Sequence, residues 1–131
     1  KKIKNKKKLK NINFKGFDKN LKNKIKDYDI LLHLSKREGL PVSVMQALSQ
    51  GLPVICYDIR GNNDLITNKV NGFFVKSFRD VPGIIHYLNL ENKIFNQMRF
   101  NSIESINEEY SHQSIYSSIL KIFNNYIYYN K

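Results

Sequence analysis

Apolar and polar positions along this chain follow two periods. Ile12-Asn13-Phe14 alternates and stops at Gly16, which predicts a short strand. Residues 21–28 predict a short helix. Residues 30–34 and 53–57 are compact apolar runs and read as buried strands. Between them, residues 35–40 form a loop. Pro41 suits the first turn of a helix, where a missing N–H costs nothing. Val42, Val44, Met45, Ala47 and Leu48 give that helix an apolar surface up to about Gln50, and Gly51 stops it. Residues 58–63 read as a loop, with Asn63 or Asp64 placed to cap one short helical turn. Asn71-Gly72 signals a turn before a short strand, Phe73-Phe74-Val75. Helices are predicted at about 78–89, 91–107 and 112–128, the first weakened near its start by Pro82-Gly83. Lys1 to Lys10 read as the end of a helix or a frayed basic segment. Strands alternating with helices predict an α/β fold with a Rossmann-like parallel sheet. Such sheets bind ligands at the carboxyl ends of their strands, where loops 35–40 and 58–63 lie.

Composition adds limits. The 131 residues suffice for one domain, and 41% hydrophobic with 25% charged residues is a globular balance. No apolar run approaches the roughly 18 residues that cross a bilayer. KKIKNKKKLK has no apolar core of the secretory kind. Cys56 is the one cysteine, which forbids an internal disulfide and fits a reducing, cytoplasmic setting.

The net charge of +11 sits wholly in residues 1–26, which hold twelve lysines and one acid, Asp18. The run lacks interleaved aromatics before Phe14 and Phe17, and no RNA-binding signature follows it. No nucleic-acid partner is therefore expected. Peripheral contact with the inner face of a membrane stays open, at about 1 kcal/mol per basic residue near the surface. Lys, Asn, Ile and Tyr are abundant throughout, and compositional drift alone accounts for the run.

The chemistry concentrates in residues 35–66. Gly39 lets backbone approach a ligand closely. The N–H groups at Val42, Ser43 and Val44 are expected to be free at a helix start, where an anion such as a phosphate is favoured by about 0.3–1 kcal/mol. Glu38, beside that position, is suited to accept hydrogen bonds from sugar hydroxyls. Gln46, one turn further on, can also bond a hydroxyl.

These residues carry a resemblance. E-G-L-P-V-S, a helix, G-L-P-V-I, a G-N-N-D-L-I loop and V-N-G-F-F-V occur in that order over roughly residues 11 to 110. The string resembles the C-terminal, donor-binding domain of family 4 glycosyltransferases, including those that build capsular and exopolysaccharides. The resemblance implies an incomplete C-terminal half of a GT-B enzyme spanning residues 1–131. It implies retaining transfer of a hexose or N-acetylhexosamine from a nucleotide diphosphate sugar, UDP-linked, to a cell-envelope polysaccharide or lipid-linked acceptor. Glu38 would orient the donor sugar, and Gly39, Leu40, Pro41, Val42 and Ser43 would surround the diphosphate. Gln46 stands where the family has a second Glu that holds ribose, and an amide loses the charge-assisted bond. Asn62 and Asn63 match a loop near the ligand. No cofactor and no metal are implied.

The family's Gly-Arg and Lys clamp on the diphosphate has no counterpart here, so this chain alone is expected to transfer no sugar. A non-catalytic nucleotide-sugar-binding remnant or partner subunit is the alternative, and a basic nucleic-acid binder stands behind both. His33 reads as a structural residue within a strand, and Cys56 as inert packing. His86 and His112 lack ligand-spaced partners. Lys36 and Arg37 read as a solvated loop. Tyr110, Tyr116, Phe123, Tyr126, Ile127, Tyr128 and Tyr129 form an aromatic stripe, expected to pack on protein rather than on a membrane.

Overall fold

The two compact apolar runs become neighbours in one parallel sheet. In the computed structural model, residues 11–129 are described, apart from the side chains of Lys22 and residues 124–129. Lys1 to Lys10, expected as a helix end or frayed segment, lie outside the described residues. Strands β1 (Leu31–His33), β2 (Val54–Tyr57) and β3 (Gly72–Val75) pair in the order β1-β2-β3, with Leu31 opposite Val54 and Val54 opposite Gly72. Helix α1 (Leu21–Lys24) runs into a 3-10 turn, Ile25–Asp27, just before β1. Helix α2 (Val42–Ser49) crosses from β1 to β2. A 3-10 turn, Phe78–Asp80, leads into α3 (Val81–Leu90), followed by α4 (Asn92–Tyr110) and α5 (His112–Tyr129).

The pleat of β2 explains the two cores. Val54 and Cys56 face one side with Val44, Ala47 and Leu48 of α2, together with Leu52, Leu65 and Ile66. Ile55 faces the other side with Val75 and Val81. Val44, Ala47 and Leu48 lie at i, i+3 and i+4, so one stripe of α2 enters the first core. The end of α2 follows from Gly51 at φ +72°. Leu52 N–H reaches Ala47 C=O at 3.0 Å and Gly51 N–H reaches Leu48 C=O at 2.9 Å, the paired bonds of a Schellman cap.

Two strand expectations change. Ile12-Asn13-Phe14 is not a strand: the segment makes no ladder, and Phe14 is 73% exposed. Alternation alone does not create a strand where no neighbouring strand accepts its backbone. Residues 30–34 were expected as a fully buried strand, yet β1 is three residues long and lies at the sheet edge. Leu32 is 49% exposed because no described residue covers the α3 side of the sheet at that point. The expected helices are present. The first starts as a 3-10 turn capped reciprocally by Ser77 and Asp80, which places Pro82 near the start of α3.

Helix α4 fastens the long connection from β2 to β3. Asn71 is buried; its Oδ1 accepts from Thr67 N–H at 2.8 Å, and its Nδ2 donates to Leu65 C=O and to Ser105 Oγ, both at 3.0 Å. Asn101 Nδ2 donates to Val70 C=O at 3.1 Å, and Tyr110 OH donates to Asp64 C=O at 2.9 Å. Tyr110 is thus bound to protein, as expected for the aromatic stripe. Tyr116 and Phe123 are exposed, and residues 126–129 lie outside the described side chains.

Candidate donor site

The loop after β1 returns the chain to the α2 face of the sheet. Ser35 Oγ donates to Arg37 C=O at 3.2 Å, which tightens the turn. Glu38 follows, partly buried, with Oε1 3.2 Å from Nε2 of His33. That distance suits a hydrogen bond, but the ring N–H does not aim at the oxygen, and Nε2 has no other partner. The contact is a close approach rather than a formed bond.

Pro41 is the N-cap of α2, extended at φ −75° and ψ 110°, and it is buried. Proline has no side-chain oxygen, so the helix start carries no side-chain cap. Val44 and Met45 N–H both go to Pro41 C=O, at 3.0 and 3.2 Å. Val42 and Ser43 N–H have no partner among the described residues. Of the three N–H groups expected to be free, Val44 is therefore excluded. Two remain, with the helix dipole behind them. Gly39, Leu40, Val42 and Ser43 are exposed around this start. Gln46 is half-buried, and its side chain makes no hydrogen bond to the described residues.

The second loop is locked onto the first. Gly61 has φ +85°, and a Cβ there would collide with the carbonyl oxygen of Gly39. Glycine is needed both for the left-handed backbone and for the contact. Asn62 was expected beside the ligand. Its side chain is fully buried, and Nδ2 donates to Tyr57 C=O at 2.9 Å, so it holds the loop from within. Its Oδ1 has no partner. Asn63 is exposed at the surface of the same loop. Among the described residues, the two buried side-chain atoms without partners are His33 Nε2 and Asn62 Oδ1, and both belong to residues at this junction. Native interiors leave few polar atoms unsatisfied, so each of these two requires an explanation.

A shallow cleft of about 480 Å³ opens at the carboxyl ends of all three strands. Lys36 and Lys76 line it with Tyr57, Asp58, Ile59, Val75 and Ser77. Cys56 lies in the core on the α2 side of β2, and burial, helped by the Asp58 charge, pushes its thiol up to about 12. It is a neutral packing group, not a nucleophile. Among the described residues no three His, Cys, Asp or Glu side chains gather as a metal site. No helix among them is long and apolar enough to cross a membrane. Sequence reasoning gave no site role to two residues at this junction, and it read His33 as structural. Gly61 was one glycine in a turn-rich loop. His33 shares the α2 face with Leu31 by strand alternation, and that parity was the available signal.

Residues 1–93 match the family Glycosyl transferases group 1. The chain belongs to this glycosyltransferase family. An Escherichia coli glycosyltransferase, UDP-Gal:alpha-D-GlcNAc-diphosphoundecaprenol alpha-1,3-galactosyltransferase, is 33% identical over 88 residues, which are 66% of this chain and 22% of that protein. The structure of Staphylococcus aureus TarM in complex with Fondaparinux, alpha-GlcNAc-glycerol and UDP superposes with a TM-score of 0.76 at 26% identity. That match covers 88% of this chain and 24% of TarM. Anabaena Alr3699/HepE in complex with UDP shares the fold, with a TM-score of 0.77 at 19% identity over 86% of this chain and 32% of its own. The parallel sheet and its helices are thus part of a GT-B glycosyltransferase fold. The chain spans well under half the length of each relative.

Proposed function

We propose that this chain forms one wall of the donor site in a retaining glycosyltransferase, as part of the C-terminal, donor-binding domain. The enzyme would move a hexose or N-acetylhexosamine from a UDP-linked sugar to a cell-envelope polysaccharide or a lipid-linked acceptor. One observation carries this reading: an uncapped helix start, with Val42 and Ser43 N–H open, lies four residues from a half-buried carboxylate, Glu38. The helix start is suited to a diphosphate, and the charge that develops on the leaving group is stabilised there electrostatically. Glu38 accepts hydrogen bonds from hydroxyls of the donor sugar. Gly39 and Leu40 complete the rim, and Pro41 supports it from below. Gln46, whose amide is free, is placed one turn along for ribose, and Asn63 stands at the outer rim. Asn62 serves by holding its loop. The name of the Escherichia coli relative contains a UDP-sugar and a diphosphate-linked lipid, and the TarM complex contains UDP; both support a UDP-linked donor.

Calorimetry with UDP-glucose and UDP-N-acetylglucosamine tests the reading on the full 131-residue chain. Binding is expected, and Glu38→Ala should weaken it about tenfold, the value of one charge-assisted hydrogen bond. A wild-type chain that binds neither sugar nucleotide sinks the proposal. A cytoplasmic enzyme held at the inner face of the membrane by the lysines of residues 1–26 belongs to the same reading. Cosedimentation with anionic but not neutral vesicles is the expected result.

A further inference from the structure

The Glu38 carboxylate has a neighbour that the donor-site reading does not use. His33 is the last residue of β1, on the α2 face, and its side chain is 16% exposed against 28% for Glu38. Its Nε2 is buried, has no hydrogen-bond partner among the described residues, and lies 3.2 Å from Glu38 Oε1. An unsatisfied buried polar atom costs about 1–3 kcal/mol. The carboxylate oxygen beside it is the acceptor at hand, and a small rotation of either side chain aligns the two. The backbone offers the pair a fixed frame. His33 is held by the ladder to β2, opposite Cys56, and the Glu38–Gly39 turn is held against Gly61.

We propose that His33 is the positioning residue for Glu38. After the small rotation that aligns them, Nε2–H bonds Oε1 with or without donor, and this fixes the plane of the carboxylate so that Oε2 faces the hydroxyls of the donor sugar. No bond is made or broken and no proton leaves the pair. The inference rests on the donor-site reading for Glu38, and it predicts which part of the donor is affected. The sugar half of a UDP-sugar depends on His33, whereas UDP alone, held at the helix start, does not.

Two measurements on the full chain test this separately from the functional reading. In the first, without ligand, nitrogen chemical shifts of the His33 ring are compared in wild type and Glu38→Gln. The proposal expects the proton on Nε2 in wild type and a shift of the ring signals in the variant. Identical ring spectra overturn the pairing, whatever the chain binds. In the second, UDP and UDP-N-acetylglucosamine are titrated into wild type, His33→Leu and His33→Gln. His33→Leu should bind the sugar nucleotide about tenfold more weakly with UDP affinity unchanged. His33→Gln, which keeps an N–H donor in similar volume, should recover most of that loss. Equal affinity of wild type and His33→Leu for the sugar nucleotide, or an equal loss for UDP, overturns the positioning role. Wild type that binds no UDP-sugar overturns the donor-site reading and, with it, the role assigned to the pair; the ring spectra then still decide whether the two side chains are coupled.

Discussion

Gly61 is the residue on which the two loops of the site depend. Its φ of +85° costs an L-residue about 1–2 kcal/mol, and the collision of a Cβ with Gly39 C=O adds to that. Gly61→Ala is therefore expected to destabilise the fold by about 2–4 kcal/mol and to move the Glu38–Gly39 turn. Urea unfolding gives the first number, and UDP-sugar calorimetry reads the second as weakened binding. Unchanged stability in the variant would show that the loops are not locked there. Cys56 makes a second prediction at this scale. Burial first, and then the Asp58 charge, hold its thiol at about 12, against an ordinary value of 9.0 for the unfolded chain. Between those values the folded state keeps a proton that the unfolded state releases. The Cys56 contribution is complete below about pH 9.0 and fades as pH rises toward 12. Unfolding in urea at pH 7 and pH 10.5 should show wild type losing about 2 kcal/mol more than Cys56→Ala over that interval. The native thiol should also resist labelling at pH 8 until denaturant is added.

At the scale of elements, one of the two buried amides in the long β2–β3 connection ties it to a distant helix. Asn71 satisfies Thr67 N–H, Leu65 C=O and Ser105 Oγ at once, and so ties the connection to α4. Ser102 Oγ, buried on the same helix, donates to Met98 C=O at 2.8 Å. Asn71→Ala should cost about 2–4 kcal/mol, because one buried and two part-buried hydrogen bonds are lost together. Denaturant midpoints check this, and a loss under 1 kcal/mol would contradict the role given to Asn71. Nothing in the local pattern announced it. Asn71-Gly72 reads as a turn, and it precedes β3 as a turn should. The bonds that matter reach residues 31 and 34 positions away, which periodicity does not see. Elements whose cause is local were legible: α2 between Pro41 and Gly51, β2 as an apolar run, and the three later helices. Ile12-Asn13-Phe14 failed as a strand because a strand requires a neighbour to complete its ladder. The site divides in the same way. Glu38 and the helix start were legible as a motif. The Val44 N–H, the inward turn of Asn62 and the approach of His33 depend on atomic packing that a motif does not specify.

At the scale of the whole molecule, α4 is the element that joins the parts. It packs on α2, α3 and α5, carries the buried Met98 and Ser102, and bonds the β2–β3 connection at Asn71, Val70 and Asp64. Helix α5 is different. It packs chiefly on α4, and its described apolar side chains, Ile115, Tyr116, Ile119, Leu120, Ile122 and Phe123, are each between 42% and 70% exposed. A helix that buries little on its own chain contributes little to that chain's stability. Removing residues 112–131 should therefore leave the β-sheet signal and cooperative unfolding intact, with a loss of about 1 kcal/mol and a melting temperature lower by roughly 4–8 °C. Removing residues 92–131 should abolish cooperative unfolding, because Asn71, Asp64 and the apolar back of α2 lose their cover together. Circular dichroism melts of the two truncations separate these outcomes. A shorter truncation that also melts without cooperativity would move the structural centre from α4 to α5. The proposed donor site would follow the same division. Glu38, the α2 start and the Gly61 loop all lie before α4, so the truncation that keeps α4 should keep UDP-sugar affinity within about threefold of the full chain, a difference near 0.7 kcal/mol.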